Sequence, residues 1–496
     1  MKHYTRTLTL FLFISVLVGQ PTFTEYSIST LADAARSVYA TDVDGDGDMD
    51  VLSASYSDKV AWYENDGSES FTEHVISTSA DYANSVYAVD VDSDGDMDVL
   101  SASAGDDKVA WYENDGSESF TEHVISTSAD GAWSVYAVDV DGDGDMDVVS
   151  ASYIDNKIAW YENDGSESFT EHAISTSANY ANYVYAVDVD GDGDMDVLSA
   201  SKNDDKIAWY ENDGSESFTE HAISTSADDA FSVHAADVDA DGDMDVLSAS
   251  MNDDKIAWYE NDGSESFTEH VISTSADGAY TVRAADVDAD GDMDVLSASA
   301  YDDKIAWYEN DGSENFTEHA ISTSANYANY VYAEDVDGDG DMDVLSASYY
   351  DDKIAWYEQD GSPVQTTFQP QTTAELQTAV DLWVSDSASA VAAYGQINTW
   401  DVSLITDMSE LFQSKTTFND AIGNWDVSSV IEMGSMFDLA SSFNQDLSSW
   451  DVSSVTNMHW MFRGTNNSNQ DLSNWDVSSV TDMSGMFYSS SFNDSI

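Results

Sequence analysis

The chain has 496 residues, with 14 Lys and Arg against 97 Asp and Glu, giving a formal net charge of −83 at pH 7. That balance excludes a nucleic-acid partner, because binding phosphate needs clustered cations, and it argues against docking on an anionic membrane. A hydrophobic content of 42% excludes a solvated disordered tail, and the lack of Cys excludes disulfides, thiolate zinc sites, iron–sulfur clusters and thiol nucleophiles.

At the start of the chain, Lys2 and Arg6 precede an apolar run from Leu8 to Val18. A short basic region before an apolar core of this length predicts a secretory signal over residues 1–20, and so a secreted or cell-surface protein. The run is too short to span a bilayer comfortably, and no later stretch reads as a transmembrane segment. No Cys follows the run, so a lipoprotein anchor is not expected.

Residues 21–362 are built from one repeated unit. The string Asp-Val-Asp-x-Asp-Gly-Asp-Met-Asp-Val begins at Asp42, Asp90, Asp139, Asp188, Asp237, Asp286 and Asp335. Each copy is followed by Lys-(Val/Ile)-Ala-Trp-Tyr-Glu, from Lys59 in the first unit to Lys353 in the last. A period near 50 residues made of short apolar runs predicts propeller blades, so the fold class is mainly β with a seven-bladed β-propeller. In one unit the strands read as Tyr183–Val187, Val197–Ser201, Lys206–Glu211 and Phe218–Ser224, with Asn-Asp-Gly-Ser as the last turn. A Phe-Thr-Glu string precedes the first acidic loop and is missing after the seventh unit. The segment Thr22–Thr30 should therefore supply the outer strand of the last blade and close the ring.

Five aspartates within nine residues repel one another unless a cation sits among them. In the first loop Asp42, Asp44, Asp46 and Asp50 hold positions 1, 3, 5 and 9, Gly47 at position 6 permits a sharp turn, and the carbonyl of Asp48 is available at position 7. Hard oxygen donors in this number suit Ca²⁺. Position 12 is Ser53 and the flanks are strand-like, which excludes an EF-hand. The remaining candidate ligands are Asp90, Asp92, Asp94, Asp96 and Asp98; Asp139, Asp141, Asp143, Asp145 and Asp147; Asp188, Asp190, Asp192, Asp194 and Asp196; Asp237, Asp239, Asp241, Asp243 and Asp245; Asp286, Asp288, Asp290, Asp292 and Asp294; and Asp335, Asp337, Asp339, Asp341 and Asp343. About seven structural Ca²⁺ ions are expected, each pinning the hairpin between the two innermost strands.

The units differ from one another mainly in the link from strand four to the next strand one and in the turn between strands two and three. Both lie at the end of the ring opposite the acidic loops. The link places Tyr82, Trp133, Tyr180, Tyr183, Phe231, Tyr280, Arg283, Tyr327 and Tyr330 there as candidate ligand-binding residues. Aromatic side chains among Asn and Asp suit sugar rings or protein loops. His74, His123, His172, His221, His270 and His319 recur at one position of strand four, which argues for packing and against a catalytic base.

The unit resembles the FG-GAP/VCBS repeat of integrin-α-like propellers, on the seven Asp-x-Asp-x-Asp-Gly-x-x-Asp loops. The resemblance implies a calcium-binding propeller, usually extracellular and used in adhesion or ligand recognition. Position 4 departs from Gly at Ser93, Ala240 and Ala289, leaving the ligands in place.

Residues 363–373 read as a Gln/Thr/Pro-rich linker, and Ala374–Ala393 has helical spacing. Trp-Asp-Val-Ser then recurs at Trp400, Trp425, Trp450 and Trp475, a period of 25 residues. Repeats of this length with fixed apolar positions predict a short α/β leucine-rich-repeat-like solenoid over residues 374–496. Its Trp-Asp-Val-Ser…Met-Phe…Phe-Asn-x-Asp pattern resembles BspA-like leucine-rich-repeat surface proteins, which implies a surface recognition module. The chain stops where a further Trp-Asp-Val would follow, so a C-terminally truncated sequence is expected.

These features point to a non-catalytic, calcium-binding recognition or adhesion protein. It would act as a monomer on an extracellular glycan or protein. An enzyme such as a polysaccharide lyase or phosphodiesterase would need one blade with a unique acid/base or metal set, and the blades are too alike for that. A purely structural matrix protein is the third alternative.

Overall fold

The computed structural model describes residues 21–359 and 368–490, apart from 69, 118, 216, 265, 386–389, 391–393, 395–396, 421, 446, 466–471 and 473–474. The expected signal over residues 1–20, part of the linker and the end of the chain lie outside the described residues. The chain divides into two compact units, Met1–Ser362 and Pro363–Ile496.

The first unit consists of seven four-stranded antiparallel sheets. The fourth is representative, with strands Ala181–Val187, Asp196–Ser201, Lys206–Asn212 and Phe218–Ser224. Strand one begins two residues earlier than the sequence pattern indicates. A bulge between Ala181 and Tyr183 extends it and turns Asn182 fully inward.

Strand three is buried on both faces: Ile207, Ala208 and Trp209 are 0% exposed and Tyr210 is 1% exposed. Each sheet is a layer between two others, so neither face is free for polar side chains. The apolar clusters accordingly straddle blades. Leu198, Ile207 and Trp209 of the fourth blade pack with Val233, Val246 and Tyr259 of the fifth. The small run Ser199–Ala200–Ser201 leaves space for the rings. Trp209 stacks on His221 at 4.7 Å and meets the edge of Phe267 from the next blade at 6.4 Å. Removing each such side chain from water contributes about 1.5–3 kcal/mol.

The ring closes as expected. Phe23–Ser29 pairs antiparallel with Lys353–Gln359, from Phe23 opposite Gln359 to Ser29 opposite Ile354. The borrowed strand repeats the details of the others. Lys353 pairs with Glu25 at 2.7 Å as Lys206 does with Glu220, also at 2.7 Å. Tyr26 covers Trp356 at 5.1 Å where other blades use His.

The second unit opens with a helix, Thr373–Ser385, which buries Leu376, Ala379, Val380 and Trp383. Thr372 caps it, its hydroxyl accepting from the Glu375 N–H. From Trp400 onward the described residues form short turns with no extended strand and no helix, so the repeat is not built of α/β units as expected. Asp side chains explain this: Asp401, Asp426, Asp451 and Asp476 each accept the N–H two residues on and commit the backbone to a turn. Single parallel bridges still join successive copies, from Asp407 to Glu432, Asn457 and Asp482. The 25-residue register is also kept by stacked rings, with Phe412 over Phe437 at 5.2 Å and Phe437 over Phe462 at 5.5 Å. The Trp450 indole N–H donates to the Ile422 carbonyl in the preceding copy.

Candidate metal centres

Each acidic loop joins strands one and two of a blade, and its backbone aims its own carboxylates. In the first loop the Gly45 and Gly47 N–H groups donate to the two oxygens of Asp42, at 2.8 and 3.0 Å. The Asp46 N–H donates to Asp44 and the Asp48 N–H to Asp46. Asp50 is fully buried and accepts from the N–H groups of Val43 and Asn65 at 2.9 and 2.8 Å. These bonds hold the loop's carboxylates close together. Oxygens of Asp42, Asp44 and Asp50 lie within 4.8 Å of one another. The same holds for Asp90, Asp92 and Asp94, for Asp139, Asp141 and Asp147, for Asp188, Asp190 and Asp196, for Asp237, Asp239 and Asp245, and for two further groups among the described residues.

Electrostatics make the clusters costly without a cation. Burial pushes the Asp50 carboxyl up to about 7, and Asp98 and Asp147 up to about 6. Asp196, Asp245, Asp294 and Asp343 all reach about 7 for the same reason. Asp237 Oδ1 and Asp335 Oδ1 are buried with no hydrogen-bond partner. Oriented, desolvated, acceptor-only oxygens fit a hard divalent cation. The residues that would hold it are the aspartates at positions 1, 3, 5 and 9.

The aspartate at position 7 does something else. Asp48 lies against the Asn-Asp-Gly-Ser turn, where a Cβ on Gly67 would come within 2.5 Å of its carboxylate. Asp96, Asp145, Asp194, Asp243 and Asp292 crowd the equivalent glycines. The side chain at position 7 thus braces the neighbouring turn, leaving its carbonyl for an ion. Sequence reasoning missed the Asn that ends strand three. Asn212 donates from its backbone to Asp196 and from its side chain to the Val140 carbonyl in the preceding blade's loop. Its signal is a fixed place after Lys-Ile-Ala-Trp-Tyr-Glu.

At the opposite end the linking segments and the strand two–three turns do share a face, as the Lys202 N–H bonded to the Tyr180 carbonyl shows. The nine candidate binding residues there separate into two groups. Tyr82 is 43% exposed and stacks on Tyr56 at 4.2 Å, while Trp133, Tyr180 and Tyr327 are half-buried. Phe231, Tyr280 and Arg283 are buried, at 6%, 7% and 8% exposure, and do not present a free surface. Tyr183 and Tyr330 also turn inward: their hydroxyls are 2.9 Å apart and both accept from Arg283. The reason is position. Strand one is innermost, so side chains that alternate along it fill the axial channel. His221 and its equivalents are held between Trp209 and Glu211, at 2.7 Å from the latter, which is a packing role.

Six overlapping stretches, residues 42–101, 90–150, 139–199, 188–248, 237–297 and 288–346, match the FG-GAP-like repeat. Residues 383–496 match a Mycoplasma protein family of unknown function, DUF285. No curated protein matches the chain. Among solved structures, BBS1N in complex with ARL6DN, soaked with lead, is similar at 12% identity and a TM-score of 0.50, covering 68% of this chain and 97% of that one. The mercury-soaked crystal of the same complex gives a TM-score of 0.49 at the same identity and coverage. At that identity the likeness is one of fold. The repeat matches run from residue 42 to residue 346, more than half of the chain, and the protein belongs to the FG-GAP-like repeat family.

Proposed function

We propose that this protein is a secreted or cell-surface recognition protein without catalytic activity, whose propeller folds around about seven Ca²⁺ ions and binds a glycan or protein ligand. The observation that carries this is the recurrence of clustered carboxylates in the acidic loops, each of which also holds a buried aspartate at position 9. Ions at these loops would fix the blade interfaces, because the same loops receive the interblade Asn side chains. Binding belongs to the end opposite the loops, where Tyr82, Tyr301 and Tyr350 remain 43%, 56% and 64% exposed. BBS1N, a propeller of similar fold, was crystallised with ARL6DN, which supports a protein ligand. The second unit is read as a short BspA-like solenoid that adds recognition surface.

The test is metal analysis of the dialysed full chain, with glycan and protein arrays run in calcium and in EDTA. About seven Ca²⁺ per chain, and array signal only in calcium, are expected. A chain with no bound calcium, or signal indifferent to EDTA, overturns the reading. Turnover of a bound polymer would favour an enzyme instead.

A further inference from the structure

The axial channel of the propeller carries two residues that depart from the repeat. At one level of the innermost strands five blades place a tyrosine, from Tyr39 in the first to Tyr332 in the last, and blades five and six place His234 and Arg283 instead. The rings form a belt, with Tyr39 4.9 Å from both Tyr87 and Tyr332, and Tyr185 4.6 Å from His234. Towards the far face the channel narrows to a small pocket of about 20 Å³ lined by Arg36, Trp133, Tyr183, Phe231, Tyr280 and Tyr330. Tyr183 and Tyr330 cross it above Arg283, and above them Arg36 donates to the Tyr280 hydroxyl at 2.7 Å. Towards the acidic loops it stays accessible, since the belt tyrosines and the residues below them, such as Val138 and Val187, are only half-buried. The result is a cavity of about 220 Å³ lined by the belt, Arg283 and His234.

The cation at its base lacks a counter-charge. The strand-three lysines each pair with a carboxylate, as Lys108 does with Glu122 at 2.6 Å. Arg283, by contrast, donates to the Tyr183 and Tyr330 hydroxyls and the Val282 carbonyl and lies over the Tyr183 and Tyr330 rings, with no carboxylate paired to it among the described residues. Next to it the buried Nδ1 of His234 has no partner. A desolvated guanidinium without an anion is unfavourable, and here it sits in a chain rich in carboxylates. Burial and the nearby Arg283 hold the His234 imidazole well below its ordinary range, so it is neutral.

We propose that this cavity receives a small carboxylate, which pairs with Arg283, takes a hydrogen bond from His234 and lays its body against the tyrosine rings. A planar carboxylate matches the guanidinium fork, and a hydroxylated body suits rings with hydroxyls at their rims. A single negative charge balances Arg283. The proposal stands whether or not the exposed far face binds anything.

The experiment is calorimetric titration of the full chain in millimolar calcium with lactate and glucuronate, and with glucose as the neutral match. Binding of at least one acid, with glucose at least about tenfold weaker, is expected. R283Y and H234Y each restore the residue that five blades use, so the fold should tolerate them. R283Y is expected to abolish binding and H234Y to weaken it several-fold, with melting temperatures near that of the unaltered chain. The proposal is overturned if neither acid binds, if glucose binds equally well, or if a folded R283Y binds as before. Should R283Y fail to fold, unchanged binding by H234Y overturns it.

Discussion

At position 9 of each acidic loop a carboxylate has been taken out of water with no cationic side chain beside it. Its protonation should therefore govern the metal-free chain. Folded, Asp50 titrates at about 7, against an ordinary value of 3.8. Between those values the folded chain holds a proton that the unfolded chain has released, so stability is highest below 3.8, is lost progressively as pH rises, and levels off above about 7. Seven such groups act together. In EDTA the melting temperature is expected to fall between pH 5.5 and pH 8, and in millimolar calcium, which binds the ionised form, the fall should vanish; a flat profile in EDTA would contradict this. Position 4 offers a second residue-level test. Ala240 and Ala289 adopt φ of 60° and 57° where four other loops use Gly, as Gly45 does at 76°. The left-handed region costs a residue with a Cβ about 1–2 kcal/mol. Ala240→Gly should therefore stabilise the chain by about 1 kcal/mol, read as a rise of roughly 1–2 °C in melting temperature.

At the scale of elements, the propeller was legible because seven copies average out local ambiguity. Each turn chemistry appears at the same place in every blade, and the missing outer strand of the last blade announced the closure by Phe23–Ser29. That closure makes a prediction. Deleting residues up to Ser29 exposes Lys353–Gln359 as an edge strand carrying Trp356 and Tyr357, and unpaired edges of this kind seek partners. The truncated chain is expected to associate, and light scattering in calcium should show oligomers absent from the full chain. What was not legible has physical reasons too. Both faces of a blade are apolar, so alternation along strand one could not say which side chains enter the axis; Arg283, Phe231 and Tyr280 were placed on an open face and lie buried. In the second unit the 25-residue period was visible, but Asp-Val-Ser turns leave only single bridges where strands were expected.

The whole molecule must fold against a net charge of −83, of which seven divalent ions would offset only a small part. Two effects of added ions are separable. Monovalent salt shortens the screening length to about 3 Å at 1 M, weakening repulsion between separated surface carboxylates. It does little inside a loop where three carboxylate oxygens lie within 4.8 Å and one aspartate is fully buried. There only a cation that replaces lost water with direct coordination is effective. Ca²⁺ accepts such an irregular oxygen set more readily than Mg²⁺, which demands octahedral geometry and keeps its waters. In EDTA the melting temperature is therefore expected to rise with NaCl and level off below the value reached in millimolar calcium, with magnesium falling between them. Differential scanning fluorimetry of the full chain across these conditions decides it. If 1 M NaCl alone restores the calcium value, the loops are solvated acidic turns and the ions have no structural part in the ring.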